Sequence, residues 1–133
     1  MTPVSESIAD IAEVLATYFD GLHHSDTERL RKVFHPQALY VTATAEPLVV
    51  WSMDDYLPVV EGRPSPASKG EAREDRIVSI ELAGPVTSMA RVECRIAPRS
   101  FTDILTLIHV DGRWQIISKV FHYDLDAEAA CPT

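Results

Sequence analysis

The chain has 133 residues, of which 46% are hydrophobic and 24% charged, a composition typical of one soluble globular domain. Acidic residues outnumber basic ones 20 to 12, which gives a formal net charge of −8. Because nucleic acids and anionic lipids are bound mainly through Lys and Arg, this charge argues against a nucleic-acid partner and against a membrane surface.

The first predicted element is an amphipathic helix in the segment SESIADIAEVLATYFDGLHHSD. Gly21 lies near its end and is interpreted as a stop signal, with His23 and His24 on a solvated turn behind it. Apolar residues at helical spacing give the helix one face for a core: Ile8, Ile11, Ala12, Leu15, Phe19 and Leu22.

A second, shorter helix is predicted in SDTERLRKVFHP, where Ser25 and Glu28 fit a capping box and Pro36 ends the helix. The tetrapeptide KVFH occurs here, at residues 32–35, and again at residues 119–122. The first copy falls in the last helical turn, where His35 would cap the C-terminal end. The second copy falls in the last predicted strand, so the two copies have different geometries and no internal repeat is predicted.

The remaining elements are mostly strands. ALYVTATAE and LVVWS predict a hairpin around Glu46-Pro47, and Ser52 with Asp55 caps a short helix, MDDYLPVVEG. The polar stretch RPSPASKGEARED predicts a mobile loop at the mouth of a pocket. Four strands follow, the last two joined at an Asp111-Gly112 turn: DRIVSIELA, VTSMARVECRI, SFTDILTLIHV and WQIISKVFHY.

This order predicts an α+β fold with one curved antiparallel sheet and helices packed on one face. Apolar residues occupy both faces of the later strands; Ile104 and Ile108, for example, alternate with Leu105 and Leu107. The outer face of the sheet therefore needs cover, and we expect a homodimer through that face.

Nothing near the N-terminus is typical of a signal peptide, because Asp10 and Glu13 interrupt the apolar pattern. No apolar stretch approaches the roughly 20 residues that cross a bilayer. Cys94 and Cys131 fit neither a disulfide framework nor a zinc site. We predict a cytoplasmic protein with reduced thiols, a single domain over residues 1–133, and a short polar tail from about residue 125.

Both ends of the chain resemble one superfamily. YFDGLHHSDTERLRKVFHPQALY resembles the opening of nuclear transport factor 2-like proteins, in which a Y-x-x-G-l-x-x-x-D helix leads to F-H-P-D-A. FTDILTLIHVDGRWQIISKVFHY is similar to the last hairpin of the branch described as putative lumazine-binding, related to polyketide-cyclase-like proteins. The resemblance covers residues 8–123. It departs from the pattern at Gln37, where the superfamily usually has Asp.

The resemblance implies a cone-shaped half-barrel of one curved, mainly antiparallel sheet, with the N-terminal helices on its concave face, a cystatin-like α+β fold. It also implies a pocket between sheet and helices and a homodimer. The superfamily includes isomerases, dehydratases, cyclases and non-catalytic binders, so the fold does not define the function. Tyr18 is similar to the first-helix tyrosine of ketosteroid isomerases, but residues 37–44 offer no clear match to the carboxylate base of those enzymes.

Asp103 is the first candidate for chemistry, because it lies in a strand among apolar residues of its own face. Its partner depends on the last hairpin. A two-residue turn at Asp111-Gly112 would pair Val110 with Arg113 and place Asp103 diagonal to His122. A bulge at Gly112 would instead pair His109 with Arg113 and place Asp103 opposite Lys119.

We favour the bulged register, because opposite charges across a ladder attract. It also gathers a mostly apolar set on one face: Ile104, Thr106, Ile108, Val110, Trp114, Ile116, Val120 and His122.

The sequence favours a small-molecule-binding protein with a mostly apolar pocket between sheet and helices. The alternatives are a cofactor-independent isomerase, dehydratase or cyclase, with Asp103, His122 and Tyr18 as catalytic candidates, and a non-catalytic interaction dimer. No metal site and no cofactor is predicted. The candidate ligand-binding residues are Tyr18, His35, Tyr40, Trp51, Tyr56, Phe101, Asp103, Lys119 and His122.

Overall fold

The computed structural model describes residues 3–126, so Cys131 and the predicted tail beyond residue 126 lie outside the described residues. Three helices and one sheet make up the fold. The helices are α1 (Val4–His24), α2 (Thr27–Val33) and α3 (Met53–Gly62), with a 3₁₀ turn at Ala67–Lys69. The strands are β1 (Phe34–Thr42), β2 (Val49–Ser52), β3 (Asp75–Leu82), β4 (Thr87–Ile96), β5 (Arg99–Val110) and β6 (Arg113–Leu125).

The six strands form one sheet in the order β2-β1-β6-β5-β4-β3. Strands β3 to β6 are an antiparallel meander, and β1 pairs antiparallel with β2 but parallel with β6. The sheet is curved and unclosed, and the helices cover its inner face. The α+β prediction is confirmed, with one parallel pairing in an otherwise antiparallel sheet.

Helix α1 packs its apolar stripe on the sheet, and Ile11, Leu15 and Tyr18 are completely buried. Gly21 is not the end of this helix, which continues through His23 and His24. A Cβ at Gly21 would lie 2.6 Å from Cδ2 of Leu30, so a side chain there would collide with α2. Gly21 therefore allows α1 and α2 to approach closely.

The second helix differs from the prediction at both ends. Its N-cap is Asp26, whose carboxylate accepts hydrogen bonds from the backbone amides of Glu28 and Arg29. Ser25, the predicted cap, instead ends α1 in the left-handed conformation. The helix ends at Val33 and β1 begins at the next residue, because Pro36 disfavours helical geometry at His35, the residue before it. His35 is therefore a strand residue, and its Nδ1 accepts a hydrogen bond (3.0 Å) from the backbone amide of Gln37.

Helix α3 begins as predicted, with a capping box between Ser52 and Asp55, and Pro58 is accommodated inside it. Met53, Tyr56, Leu57 and Val60 form its buried face. In the described part of the chain, none of the helices has the length and apolar character required to span a membrane.

The last hairpin follows neither predicted register throughout. Its turn has two residues, with Val110 opposite Arg113, but the register shifts by one between the Leu107–Ile116 and Thr106–Ser118 pairs. The favoured bulge at Gly112 is therefore wrong, and the extra residue is Ile117.

The shift places Phe121 opposite Asp103 and Lys119 opposite Leu105, so Lys119 is a diagonal neighbour of Asp103 on the inner face. Trp114 and Ile116 are also buried in the core rather than grouped with Ile104, whose side chain is exposed on the outer face.

Candidate functional site

A buried charge pair lies between the sheet and α1. Nζ of Lys119 is 4.0 Å from Oδ2 of Asp103, and the two side chains are 6% and 0% exposed. The hydroxyl of Tyr18 donates a 2.6 Å hydrogen bond to the same Oδ2. Oδ1 of Asp103 is buried without a hydrogen-bond partner among the described residues. A buried carboxylate in this position is compensated mainly by Tyr18 and by the charge of Lys119.

Aromatic rings enclose the Lys119 ammonium. Nζ lies 5.2 to 5.5 Å from four ring centroids, within the range of cation–π attraction, and these belong to Tyr18, Tyr40, Tyr56 and Phe121. The ammonium also donates a long hydrogen bond (3.5 Å) to Oη of Tyr56. The surrounding rings thus provide partners that favour the charged form of Lys119.

The environment keeps Lys119 cationic. Burial by itself lowers the pKa of Lys119, but the ionised forms of Tyr56 and Asp103 raise it, and the net pKa lies above the ordinary value of 10.5. Tyrosine charges act only in alkali, so Asp103 and the ring faces hold the ammonium at neutral pH. Lys119 is therefore a fixed positive charge near neutrality and a poor amine nucleophile.

Burial also keeps two tyrosine hydroxyls and one cysteine thiol near Lys119 neutral. Desolvation, and then the charge of Asp103, raise the pKa of Tyr18 well above its ordinary value. Desolvation also raises the pKa of the Cys94 thiol to about 12 and raises the pKa of Tyr40. These three side chains remain protonated at neutral pH and can donate hydrogen bonds.

A small cavity of about 30 Å³ adjoins Lys119. This volume accommodates roughly one water molecule or a single small substituent. We call it the Lys119 cavity, and its lining residues come from α1, α3 and four strands or their ends: Leu22, Tyr40, Tyr56, Arg63, Cys94, Ile96, Arg99, Phe101 and Lys119.

The structure brings together part of the predicted site. Tyr40, Tyr56, Phe101 and Lys119 line the Lys119 cavity. Tyr18 and Asp103 lie against Lys119 without lining that cavity. Trp51 is one ring further away, stacked on Tyr40 with centroids 5.1 Å apart.

The two histidine candidates lie elsewhere. The His122 side chain is 59% exposed, and its ring nitrogens contact Asp124 at 2.9 Å and Thr44 at 3.1 Å. Strand alternation places the His122 side chain on the outer face of the sheet, whereas Lys119 and Phe121 point to the inner face. His35 is bonded to its own strand at the start of β1. The bulge at Ile117 makes Lys119, rather than His122, the diagonal neighbour of Asp103, and neither histidine contacts Asp103 among the described residues.

Five residues of the Lys119 cavity were missed by the site prediction, and one of them, Leu22, was expected only as part of the apolar stripe of the first helix. Cys94 and Ile96 belong to the apolar face of β4, and that alternation was a usable signal. Arg63 ends α3 and Arg99 begins β5, so nothing in the local sequence relates them. In the folded protein both arginines line the Lys119 cavity, at the side that we call its opening.

A larger, open groove of about 520 Å³ crosses the ends of β3 to β6. Most of its charged side chains are already paired: Arg76 with Glu93 at 2.7 Å, Arg95 with Glu74 and with Asp126, and Asp75 with Arg73 at 3.0 Å. An open groove with paired, solvated charges gives a ligand little to gain. The buried, cation-rich Lys119 cavity is therefore the better candidate site.

A comparison with known protein families agrees with the α+β fold described above. The family model described as putative lumazine-binding matches residues 6–122. The chain belongs to this putative lumazine-binding family. Among the residues that the structure describes, this family member has no group of three or more His, Cys, Asp or Glu side chains arranged to hold a metal ion.

Solved structures similar to this family member share its fold. A nuclear transport factor 2-like (NTF2-like) protein of unknown function from Silicibacter pomeroyi is 27% identical, with a TM-score of 0.80 over 92% of this chain and 100% of that chain. An NTF2-like protein of unknown function from Shewanella baltica is 26% identical, with a TM-score of 0.81 over 93% and 98%. The resemblance to the NTF2-like superfamily is confirmed.

One similar protein has a named activity. The aldolase FrzH from Cladobotryum sp. is 27% identical over 117 residues, which cover 82% of this chain and 87% of the aldolase. Membership of the family and these relatives support a small-molecule-binding or isomerase-like protein. In chemical terms, the Lys119 cavity offers a cation and hydroxyl donors to an oxygen atom.

Proposed function

We propose that this protein binds a small carbonyl compound and directs the carbonyl oxygen at the Lys119 ammonium and the Tyr56 hydroxyl. The observation that carries the proposal is the buried cation of Lys119, hydrogen-bonded to Tyr56 and bordering a cavity. A carbonyl oxygen is an acceptor that both groups can share. In a site with little water, a charged donor binds such an oxygen more strongly than it does in bulk solvent.

The size of the Lys119 cavity limits what enters it. About 30 Å³ accepts a single carbonyl group, while the rest of the ligand lies across the opening against the apolar side chains of Leu22 and Phe101. A bicyclic lumazine exceeds this volume, so it would enter only if side chains at the opening move. We therefore expect simple ketones to bind without rearrangement and lumazine to bind only with one.

The test is a titration of ¹⁵N-labelled protein with methyl 4-oxopentanoate, a neutral ketone, followed by backbone amide shifts. We expect shifts at Tyr40, Tyr56 and Lys119 in the wild type and about tenfold weaker binding in Lys119→Met, the loss expected for a charged hydrogen bond. Lys32→Met removes an exposed lysine and should bind as the wild type does.

Removal of Lys119 alone leaves Asp103 buried and uncompensated, so a variant with Asp103→Leu and Lys119→Met provides a second, charge-neutral comparison. Unchanged affinity in a folded variant that lacks Lys119 would contradict the proposal, as would the absence of any shift at the Lys119 cavity in the wild type.

A second candidate function is acid–base catalysis on the bound carbonyl compound. It is favoured by the similarity to a protein named aldolase and by the cationic state of Lys119. Asp103 does not line the Lys119 cavity, so side chains there would have to move before Oδ1 of Asp103 could accept a proton from the carbon next to the carbonyl. The C–H electron pair would form a C=C bond, the carbonyl π pair would move to the oxygen, and Lys119 would stabilise the resulting enolate.

Deuterium exchange separates this candidate from simple binding. In D₂O the wild type should accelerate loss of the α-proton NMR signals of methyl 4-oxopentanoate, and Asp103→Asn should not. Asp124→Asn removes an exposed carboxylate and serves as the matched control. Binding without exchange in the wild type would restrict the function to binding.

We also propose a homodimer through the outer face of the sheet. An apolar row crosses four strands there, with side chains in register from Val50 through Val41 and Val120 to Ile104. Val50, Val120 and Ile104 are 52%, 46% and 37% exposed. A continuous apolar row of this kind favours a protein partner. Sedimentation equilibrium should give a dimer for the wild type and a monomer for Val120→Glu; a wild-type monomer would contradict the proposal.

A further inference from the structure

The opening of the Lys119 cavity is positively charged in an otherwise acidic protein. The chain has a net charge of −8, yet three of the nine residues that line the cavity are cations, Arg63, Arg99 and Lys119. Within residues 3–126, no carboxylate lines this cavity. All three cations act on Tyr40, since each one opposes the rise of its pKa. Their charges therefore add at one point.

The two arginines that line the Lys119 cavity are unpaired, whereas four of the nine arginines in the chain form ion pairs. Arg29, Arg73, Arg76 and Arg95 each have a carboxylate partner within 4.0 Å. In the described part of the chain, neither Arg63 nor Arg99 has such a partner. Unpaired guanidinium groups beside a cavity are suited to an anion from outside the protein.

Arg63 also has an unsatisfied donor. Its Nε is buried and has no hydrogen-bond partner among the described residues. A buried N–H of a charged group without a partner is costly, so a ligand acceptor there would be favourable. The Arg99 guanidinium stacks over the Tyr123 ring, with Cζ 4.4 Å from the ring centroid, which leaves its N–H edge available.

We propose that Arg63 and Arg99 bind a carboxylate of the ligand, so that the compound is an oxo acid with its carbonyl at Lys119 and its carboxylate at the opening. This inference rests on the proposed function, because it assigns the second polar group of the same ligand. The planar guanidinium fork matches a carboxylate, and two arginines with Lys119 distinguish an oxo acid from a neutral ketone.

The test compares 4-oxopentanoate with its methyl ester, which keeps the carbonyl and removes the charge. The ¹⁵N–¹Hε signals of the arginines are followed during each titration. We expect the acid to bind about tenfold more tightly than the ester and to move the Hε signals of Arg63 and Arg99. The advantage of the acid should shrink as salt is added.

Matched variants assign the effect to the opening. In Arg63→Gln with Arg99→Gln the acid and the ester should bind equally, while Arg91→Gln, which removes an exposed arginine from the outer face, should keep the tenfold difference. Inorganic phosphate should compete weakly; competition as strong as that of the acid would overturn the carboxylate assignment in favour of a general anion site.

The outcomes separate the two proposals. If acid and ester bind the wild type equally and both move the amide of Lys119, the carbonyl site stands and the arginine inference is overturned. If neither compound moves any signal of the Lys119 cavity, both proposals are overturned. Shifts of equal size at Arg91 would show a general charge effect and would also overturn the inference.

Discussion

Strand β6 contributes two basic side chains that each contact a carboxylate, Lys119 with Asp103 and His122 with Asp124. Lys119 and Asp103 lie 4.0 Å apart with side chains 6% and 0% exposed. His122 and Asp124 lie closer, at 2.9 Å, but their side chains are 59% and 77% exposed. The closer pair is surrounded by water, which weakens its attraction, whereas the longer pair acts in a region of low dielectric.

Burial rather than distance therefore decides which pair matters for stability and for the site. A buried charge without its partner is far more costly than an exposed one. The same burial that makes the inner pair sensitive also holds Lys119 as a cation beside the cavity.

Neutralisation of the inner carboxylate should be the most damaging change. Asp103→Asn leaves Lys119 buried without its counter-charge and should lower the free energy of unfolding by about 3 to 5 kcal/mol. Asp124→Asn, in the exposed pair, should change it by less than about 0.5 kcal/mol. Denaturation by urea measures both.

A double variant tests whether the inner pair acts as a unit. Asp103→Leu with Lys119→Met removes both charges and should be more stable than the sum of the single losses predicts. Additive losses would show that the two residues act independently, and equal losses in Asp103→Asn and Asp124→Asn would remove the distinction between the inner and outer pairs.

Loss of the Tyr18 hydroxyl should have an intermediate effect. Tyr18→Phe removes the 2.6 Å hydrogen bond to Asp103 and should lower the free energy of unfolding by about 1.5 to 3 kcal/mol, as expected for a bond to a charged group. Tyr123→Phe is the control, because Tyr123 is partly exposed and its hydroxyl has no hydrogen bond within residues 3–126. Similar losses in both variants would argue against a special role for Tyr18.

Alkaline pH should destabilise the inner region gradually. The pKa of Cys94 rises from 9.0 to about 12 on folding, mainly through desolvation. Between those values the unfolded chain releases a proton that the folded chain retains. The contribution of Cys94 to the free energy of unfolding is therefore fully present below pH 9 and declines above it. The slope should be up to about 1 kcal/mol per pH unit. Cys94→Ala should flatten the curve between pH 9 and 10; an unchanged slope would assign the effect to other groups.

Local signals predicted the elements of the fold well. The helical period of α1, the Ser52–Asp55 capping box and the strand alternation around Asp103 each depend on residues close in sequence. Asp103 was identified because a carboxylate among apolar residues is unusual, and its burial follows from that pattern. Tyr40 and Tyr56 were candidates as aromatic residues that could line a cavity, and Phe101 because it lies on the same strand face as Asp103.

Long-range pairing limited the remaining predictions. The bulge at Ile117 has no local signature, because it depends on how β6 fits between β5 and β1, yet it determines which side chain accompanies Asp103. Arg63 follows α3 and Arg99 begins β5, 36 residues later, and both line the Lys119 cavity only because α3 packs against the sheet. The cationic opening could not be predicted without the tertiary structure.

The cationic site depends on the charge of Lys119, and the ionisation of this side chain can be measured directly. NMR titration of the ¹³Cε–¹Hε signals of Lys119 in the full chain reports the protonation of Nζ. We predict an ammonium that stays protonated through pH 10, because its pKa lies above the ordinary value of 10.5. Deprotonation below about pH 9, where a lysine becomes available as a nucleophile, would contradict the account of the Lys119 cavity as a fixed cationic site.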